Sequence, residues 1–280
     1  MMSNIPKKIQ ARIVDSLKKF QPVLLSAKTR DVNESDTVII VTDMLSHIFG
    51  FDKYSEITSE FSIRGTYVDL ATKIENKVQY LIEVKAIGLD LKDHFVKQAV
   101  DYAANQGIDW VVLTNGIAWK IFKVGFGKPI TQEVVCEFEF LNLNHKNPED
   151  LDMLYLLSKE GWLKNHIETY HAQKQVLSKF FIATILLSEG IISTVKRELR
   201  KLSPDIRVSD EQILNVIQQE VLKREVIEGE KVEEAKKVIS KVQAKVNRNK
   251  KTNNDKKAPP KIDSNEVQNY LAESRSEDKI

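Results

Sequence analysis

Cysteine is nearly absent: Cys136 is the only one in 280 residues. A lone thiol excludes an internal disulfide framework and fits a reducing compartment. It stands in the alternating run Val134-Val135-Cys136-Glu137-Phe138-Glu139-Phe140, the setting of a packed strand and not of a nucleophile. Long apolar runs are missing too. No stretch approaches the roughly 20 residues that span a bilayer, and the N-terminus lacks the apolar segment of a secretory signal. A soluble, cytoplasmic protein with no membrane partner is expected. Also absent is the Gly-x4-Gly-Lys-Ser/Thr loop that cradles nucleotide phosphates. Gly125-Phe126-Gly127-Lys128-Pro129 lacks its spacing and puts proline at the hydroxyl position, so it reads as a strand connection.

What is present is a hairpin with chemistry on one face. Tyr67-Val68-Asp69-Leu70-Ala71-Thr72-Lys73-Ile74 alternates with the strand period, and Val78-Gln79-Tyr80-Leu81-Ile82-Glu83-Val84-Lys85 is a second β-branched and aromatic run. A three-residue turn, Glu75-Asn76-Lys77, pairs Ile74 with Val78. Antiparallel counting then sets Asp69 opposite Glu83, with Cα atoms about 4.5–5.5 Å apart. Asp69, Glu83 and Lys85 share one face, while Val68, Leu70, Ile82 and Val84 share the other, which enters the core. Two carboxylates and a nearby backbone carbonyl, that of Val84, suit Mg2+, with Mn2+ as a substitute. A lysine beside them can orient or deprotonate an attacking water, or stabilise charge developing on a phosphate. The same three residue types also form ordinary solvated strand faces, so the spacing alone is not specific.

The surroundings narrow the choice. Leu89 to Asn105 reads as an amphipathic helix capped by Asp90 and stopped at Gly107, with His94, Gln98 and Tyr102 on one stripe. A strand Asp109–Thr114, a turn at Asn115-Gly116 and a strand Ala118–Val124 follow. From Asn33 to Val124 the order is helix, strands, helix, strands.

Five words in this order carry a resemblance: Asn33-Glu34-Ser35-Asp36-Thr37, Tyr67-Val68-Asp69-Leu70, Ile82-Glu83-Val84-Lys85-Ala86, Gln98-Ala99-Val100-Asp101-Tyr102 and Thr114-Asn115-Gly116-Ile117-Ala118-Trp119. Over about a third of its length the chain resembles the N-terminal endonuclease domain of type I restriction enzyme R subunits, within the PD-(D/E)XK nuclease superfamily. The resemblance implies an α/β fold, a mixed sheet flanked by helices, here followed by an all-α C-terminal extension. It implies that Asp69 and Glu83 bind magnesium, that Lys85 is catalytic, and that Gln98 and Tyr102 support DNA cleavage. Glu34 is the first-helix acid, placed to contact a metal through water. The implied function is metal-dependent hydrolysis of DNA phosphodiesters in restriction or phage defence. The alternative is a nuclease-fold DNA-binding or defence-complex component that does not cut without partner subunits. R subunits continue into an ATP-driven motor, for which no phosphate loop exists here.

Charge bears on that alternative. Residues 31–140 hold 10 Lys and Arg against 17 Asp and Glu, whereas residues 1–30 hold 7 against 1. The acidic stretch repels phosphates, so DNA affinity must come from bound cations, from the flanks or from a partner. Residues 1–30 read as a basic helix with Ile9, Ile13 and Leu17 on its apolar side, residues 31–144 as the nuclease-like domain, and residues 145–246 as the helical extension. In the extension, Asn147-Pro148-Glu149-Asp150 opens a helix, Gly161 and Gly190 are candidate breaks, and Ser209-Asp210-Glu211-Gln212 is a capping-box pattern. The extension docks on the sheet, joins partner subunits or a second copy, or meets DNA. Residues 247–280 read as a disordered basic tail.

Overall fold

The computed structural model describes residues 5–63, 66–205 and 207–252. They divide into two compact units, one ending at Ile167 and the other beginning at Glu168.

The first unit is a six-stranded sheet in sequential order: β1 (Ile57–Ile63), β2 (Thr66–Ile74), β3 (Lys77–Val84), β4 (Trp110–Thr114), β5 (Ala118–Gly125) and β6 (Thr131–Glu139). Every neighbouring pair is antiparallel except β3 with β4. A parallel pair needs a crossover. Here a 3-10 turn, Asp93–Val96, and helix α3 (Lys97–Gln106) provide it. Consequently the C-terminal ends of β3 and β4 lie side by side, with Val84 paired to Thr114.

Two helices precede the sheet. Helix α1 (Lys7–Thr29) buries Ile13, Leu17, Phe20, Leu24 and Ala27, a repeat of three and four residues that turns one stripe into the core. The expected basic helix is therefore part of the sheet unit, and Arg12 is spent internally, with both terminal nitrogens 2.7 Å from the Glu160 carboxylate. Helix α2 (Glu34–His47) starts where the Asn33 side chain accepts from the Asp36 N–H. After the sheet, α4 (Pro148–Leu157) and α5 (Lys159–Leu163) also lie in this unit. Trp162 of α5 packs 4.7 Å from Tyr80 and donates to Gln79 Oε1.

The β2–β3 turn differs from expectation. It has two residues, not three: Ile74 pairs with Lys77, and Glu75 and Asn76 adopt φ of 50° and 63°, as a tight hairpin turn of this kind requires. A bulge then restores the register. Lys73 pairs with Val78 but Thr72 with Tyr80, leaving Gln79 as the extra residue. Beyond it Leu70 faces Ile82, and one step further the same register sets Asp69 across from Glu83.

The α3 entry is also corrected. Asp90 caps nothing, because residues up to Lys92 are not helical and Lys92 is itself extended. The carbonyls of Leu89 and Leu91 are drawn instead to Asn115 Nδ2 and Lys120 Nζ. His94 thus sits in the 3-10 turn, its ring against Phe95, and does not extend the stripe of Gln98 and Tyr102. The stop at Gly107, at φ 68°, is as expected. Gly125-Phe126-Gly127-Lys128-Pro129 runs from the end of β5 into its connection with β6. Cys136 is buried in β6, its sulfur 3.7 Å from that of Met153.

The second unit is helical: most of α6 (His166–Val176), then α7 (Lys179–Leu186), α8 (Glu189–Leu202), α9 (Asp210–Val216) and α10 (Glu230–Thr252). Serines, not glycines, punctuate the helical region. Ser158, Ser178, Ser188 and Ser209 stand at the N-caps of α5, α7, α8 and α9, whereas Gly161 and Gly190 lie within the helices that follow. Gly161 has a packing reason, since a Cβ there would run into the Tyr155 carbonyl. The capping box at Ser209 and Gln212 is present with both of its hydrogen bonds. Of the expected tail from residue 247, the part up to Thr252 continues α10, and residues 253–280 lie outside the described residues.

Candidate functional site

The site assembles where β3 ends. The Lys85 N–H donates to the Thr114 carbonyl on β4, so in an extended chain the preceding N–H points the opposite way. Val84 N indeed donates to Asp69 Oδ2 at 2.7 Å on the β2 side. Strand alternation returns Glu83 and Lys85 to one face, where Lys85 Nζ donates to Glu83 Oε1 at 2.8 Å. Glu34, the first residue of α2, brings Oε2 to 3.5 Å from the same ammonium. The side chains of Lys85 and Glu83 are 14% and 17% exposed, that of Glu34 49%, so the group opens to solvent on the α2 side.

Crowding shifts the proton affinities of the group. Burial pushes the Asp69 carboxyl above the usual aspartate range; the Val84 N–H and the Lys85 charge oppose this, while Glu34 adds to it. Glu83 is raised for the same first reason, with the Asp69 and Glu34 charges adding and Lys85 opposing. Burial works against the Lys85 ammonium. Its hydrogen bond to Glu83 and the charges of Glu83, Glu34 and Asp69 outweigh that and raise it. The site is an ammonium set among carboxylates that are short of countercharge.

Among the described residues, no three His, Cys, Asp or Glu side chains converge as a closed protein cage would need. Magnesium rarely uses such a cage: one or two carboxylates, with waters and substrate phosphates, are its usual shell. Asp69 and Glu83 fit that demand as hard oxygen donors on adjacent strands, both holding protons more tightly than free carboxyls do.

Gln98 and Tyr102 stand apart from this group. Asp69 is in phase with Ala71, and Glu83 with Leu81, so the face that carries the carboxylates turns apolar one pleat on. There Ala71, Leu81, Val111, Leu113 and Phe122 cluster with Ala99, Val100, Tyr102 and Ala103 of α3. The Tyr102 ring packs edge-on against Phe61, and its hydroxyl is buried without a hydrogen-bond partner among the described residues. Gln98 is exposed. Neither side chain is hydrogen-bonded to Asp69, Glu83 or Lys85 among the described residues.

One residue that its sequence marks as a turn former has a further role. Asn115 is 7% exposed; its Nδ2 donates to the carbonyls of Ile87 and Leu89, and its Oδ1 accepts from the N–H groups of Ile117 and Ala118. It fastens the segment after Lys85 to the β4–β5 turn. Trp119 Nε1 donates to the Gly116 carbonyl in the same turn. The word Thr114-Asn115-Gly116-Ile117-Ala118-Trp119 is thus a clamp on the site's backbone. The sequence signal was the Asn-Gly pair followed by tryptophan.

With Asp69, Glu83 and Lys85 gathered on one sheet face, comparison with known families becomes informative. Residues 37–135 match the type I restriction enzyme R protein N terminus. The matched R-protein segment runs from the first turns of α2 into β6 and contains Asp69, Glu83, Lys85, Gln98 and Tyr102, while Glu34 falls three residues before it. No curated protein and no solved structure matches the chain. Among the described residues, no helix is long and apolar enough to cross a membrane.

Proposed function

We propose that this chain is a metal-dependent endodeoxyribonuclease of the restriction type, built on a PD-(D/E)XK fold and using Mg2+ or Mn2+. The observation that carries the reading is the packing of Asp69, Glu83 and Lys85 at one strand end, inside the segment that matches the restriction R-protein N terminus. Asp69, Glu83 and the Val84 carbonyl would hold the cation, which supplies a Lewis acid for the phosphate and an activated water. The remaining work falls to the chain. Val84 N–H fixes the Asp69 carboxylate before any ligand arrives. Lys85, already donating to Glu83, offers its ammonium to a phosphate oxygen as negative charge builds there. Glu34, half exposed beside that ammonium, is placed to hold a water. Gln98 reaches outward from α3 to the DNA strand, and Tyr102 anchors the helix beneath it.

The deciding assay is supercoiled plasmid with the purified protein in Mg2+, Mn2+ or EDTA. Nicking is expected with either metal and without ATP, since the 280 residues contain no phosphate loop; nicking that persists in EDTA overturns the metal mechanism. The excess of acidic residues over 31–140 favours a second reading, a DNA-binding component that cuts only with partner subunits. Plasmid that is bound but never nicked in either metal selects it.

A further inference from the structure

We propose that the cleft between α8 and α9 is a binding surface for the phosphate backbone of DNA. It is an open cleft of about 520 Å³ lined by Ser193, Lys196, Arg197, Arg200, Lys201 and Asp210. Five of these recur on α8 at intervals of three and four, the repeat of a single helix face. Four are cations. The one lining carboxylate, Asp210, is 2.8 Å from Lys196 and ties α9 to α8. Arg197 and Lys201 stay 67% and 65% exposed, with the solvent-facing Glu198 as their nearby countercharge.

The partner chemistry follows from charge and spacing. Lys196 and Arg200, like Arg197 and Lys201, are one turn apart, a rise of about 6 Å, which matches roughly two phosphates along a DNA strand. Arginine forks suit phosphate oxygens, and Ser193 adds a hydroxyl donor to the same stripe. Residues 168–252 carry 17 Lys and Arg against 12 Asp and Glu, the opposite balance to residues 31–140. A basic cleft in the same chain is one way to offset that repulsion. Contacts to phosphates carry no sequence information, so binding through them is indifferent to sequence. The choice of DNA over another polyanion rests on the nuclease reading.

The test is fluorescence polarisation of a labelled duplex with the full chain in EDTA across a salt series. Relative to wild type, Arg197→Ala/Arg200→Ala/Lys201→Ala should bind at least about tenfold more weakly, with a log–log salt slope shallower by roughly 2–3, since each lost phosphate contact removes about 0.9. Arg197→Lys/Arg200→Lys should keep the slope. If the triple variant loses its helical circular dichroism, Arg200→Gln reads the same change as a slope shallower by about one. Unchanged affinity and slope in a folded variant overturn the proposal. So does unchanged DNA binding together with lost self-association in sedimentation, which would give the cleft to the acidic surface of a second copy. Wild type that never nicks plasmid but shows the expected slopes removes the nuclease reading and leaves this one standing.

Discussion

The end of the β2–β3 hairpin and the helix α3 address the same sheet face, and they treat polar atoms in opposite ways. At the hairpin end, charges are brought under partial cover and held: Asp69 by the Val84 N–H, Glu83 by Lys85, and Lys85 in turn near Glu34. On α3, the Tyr102 hydroxyl is buried with no hydrogen bond among the described residues, and Gln98 is left to solvent. A half-buried ionic group that keeps its partners suits the chemistry proposed for that spot. A tyrosine whose ring is packed and whose hydroxyl is orphaned serves first through its ring. Under the proposed function, the hairpin would carry the reaction and the helix would carry placement.

The sharpest way to break this contrast is to neutralise the hairpin. Glu83→Gln and Lys85→Ala should each lower plasmid nicking by on the order of a hundredfold to a thousandfold, the usual loss when one transition-state electrostatic group is removed. Duplex binding in EDTA should stay near wild type. An equal fall in binding would mean that these residues merely hold substrate. A smaller effect, roughly tenfold, is expected from Gln98→Ala on single-turnover nicking, because misplacement and not lost chemistry is involved. If Gln98→Ala matches Glu83→Gln, the division between hairpin and helix fails.

Stability separates the two further. Tyr102→Ala should cost about 3–5 kcal/mol in urea unfolding, as large aromatic truncations in cores do. Tyr102→Phe should be neutral or stabilising, because it removes a buried hydroxyl that lacks a partner. Loss of nicking in a fully stable Tyr102→Phe would restore the hydroxyl to the mechanism.

The smallest expected effect is pH dependence in the absence of metal. Asp69 holds its proton more tightly folded than unfolded, first through burial. Over the pH range between those two affinities the folded state binds more protons, so this contribution to stability falls as pH rises through it. Asp69→Asn keeps an acceptor for Val84 N–H and removes the charge. In EDTA its melting temperature should exceed that of wild type by a margin that grows from acid to neutral pH. Mg2+ should then raise the wild type and leave the variant unmoved. A margin that shrinks toward neutral pH contradicts the crowding described above.

Much of this was legible before folding, for identifiable reasons. Strand period exposed the β2 and β3 faces, and the Gly107 stop and the Ser209 box are local signals that tertiary structure left alone. What escaped was tertiary in origin. Asp90 lost its cap position because Asn115 and Lys120 take the carbonyls on either side of it. Gly161 looked like a break because its true reason, the Tyr155 carbonyl pressing on it, is a contact across a cap. Asn115 announced a turn, and nothing in its neighbourhood disclosed that it would bind the stretch after Lys85. Gln98 and Tyr102 were placed by resemblance alone, and the periodicity that linked them to His94 ended at the 3-10 turn.

The alignment of Asp69 with Glu83 depends on two irregularities that cancel. The turn is one residue shorter than the hairpin needs for this alignment, and the bulge at Gln79 returns the missing step. The bulge therefore works as slack at the hairpin tip. Deleting Gln79 would remove the unpaired residue and leave Thr72 opposite Tyr80, Leu70 opposite Ile82 and Asp69 across from Glu83. The alignment of the carboxylates is thus insulated from a change of one residue at that point. What such a deletion would forfeit is the anchor of the tip, since Trp162 donates to the side chain of that extra glutamine.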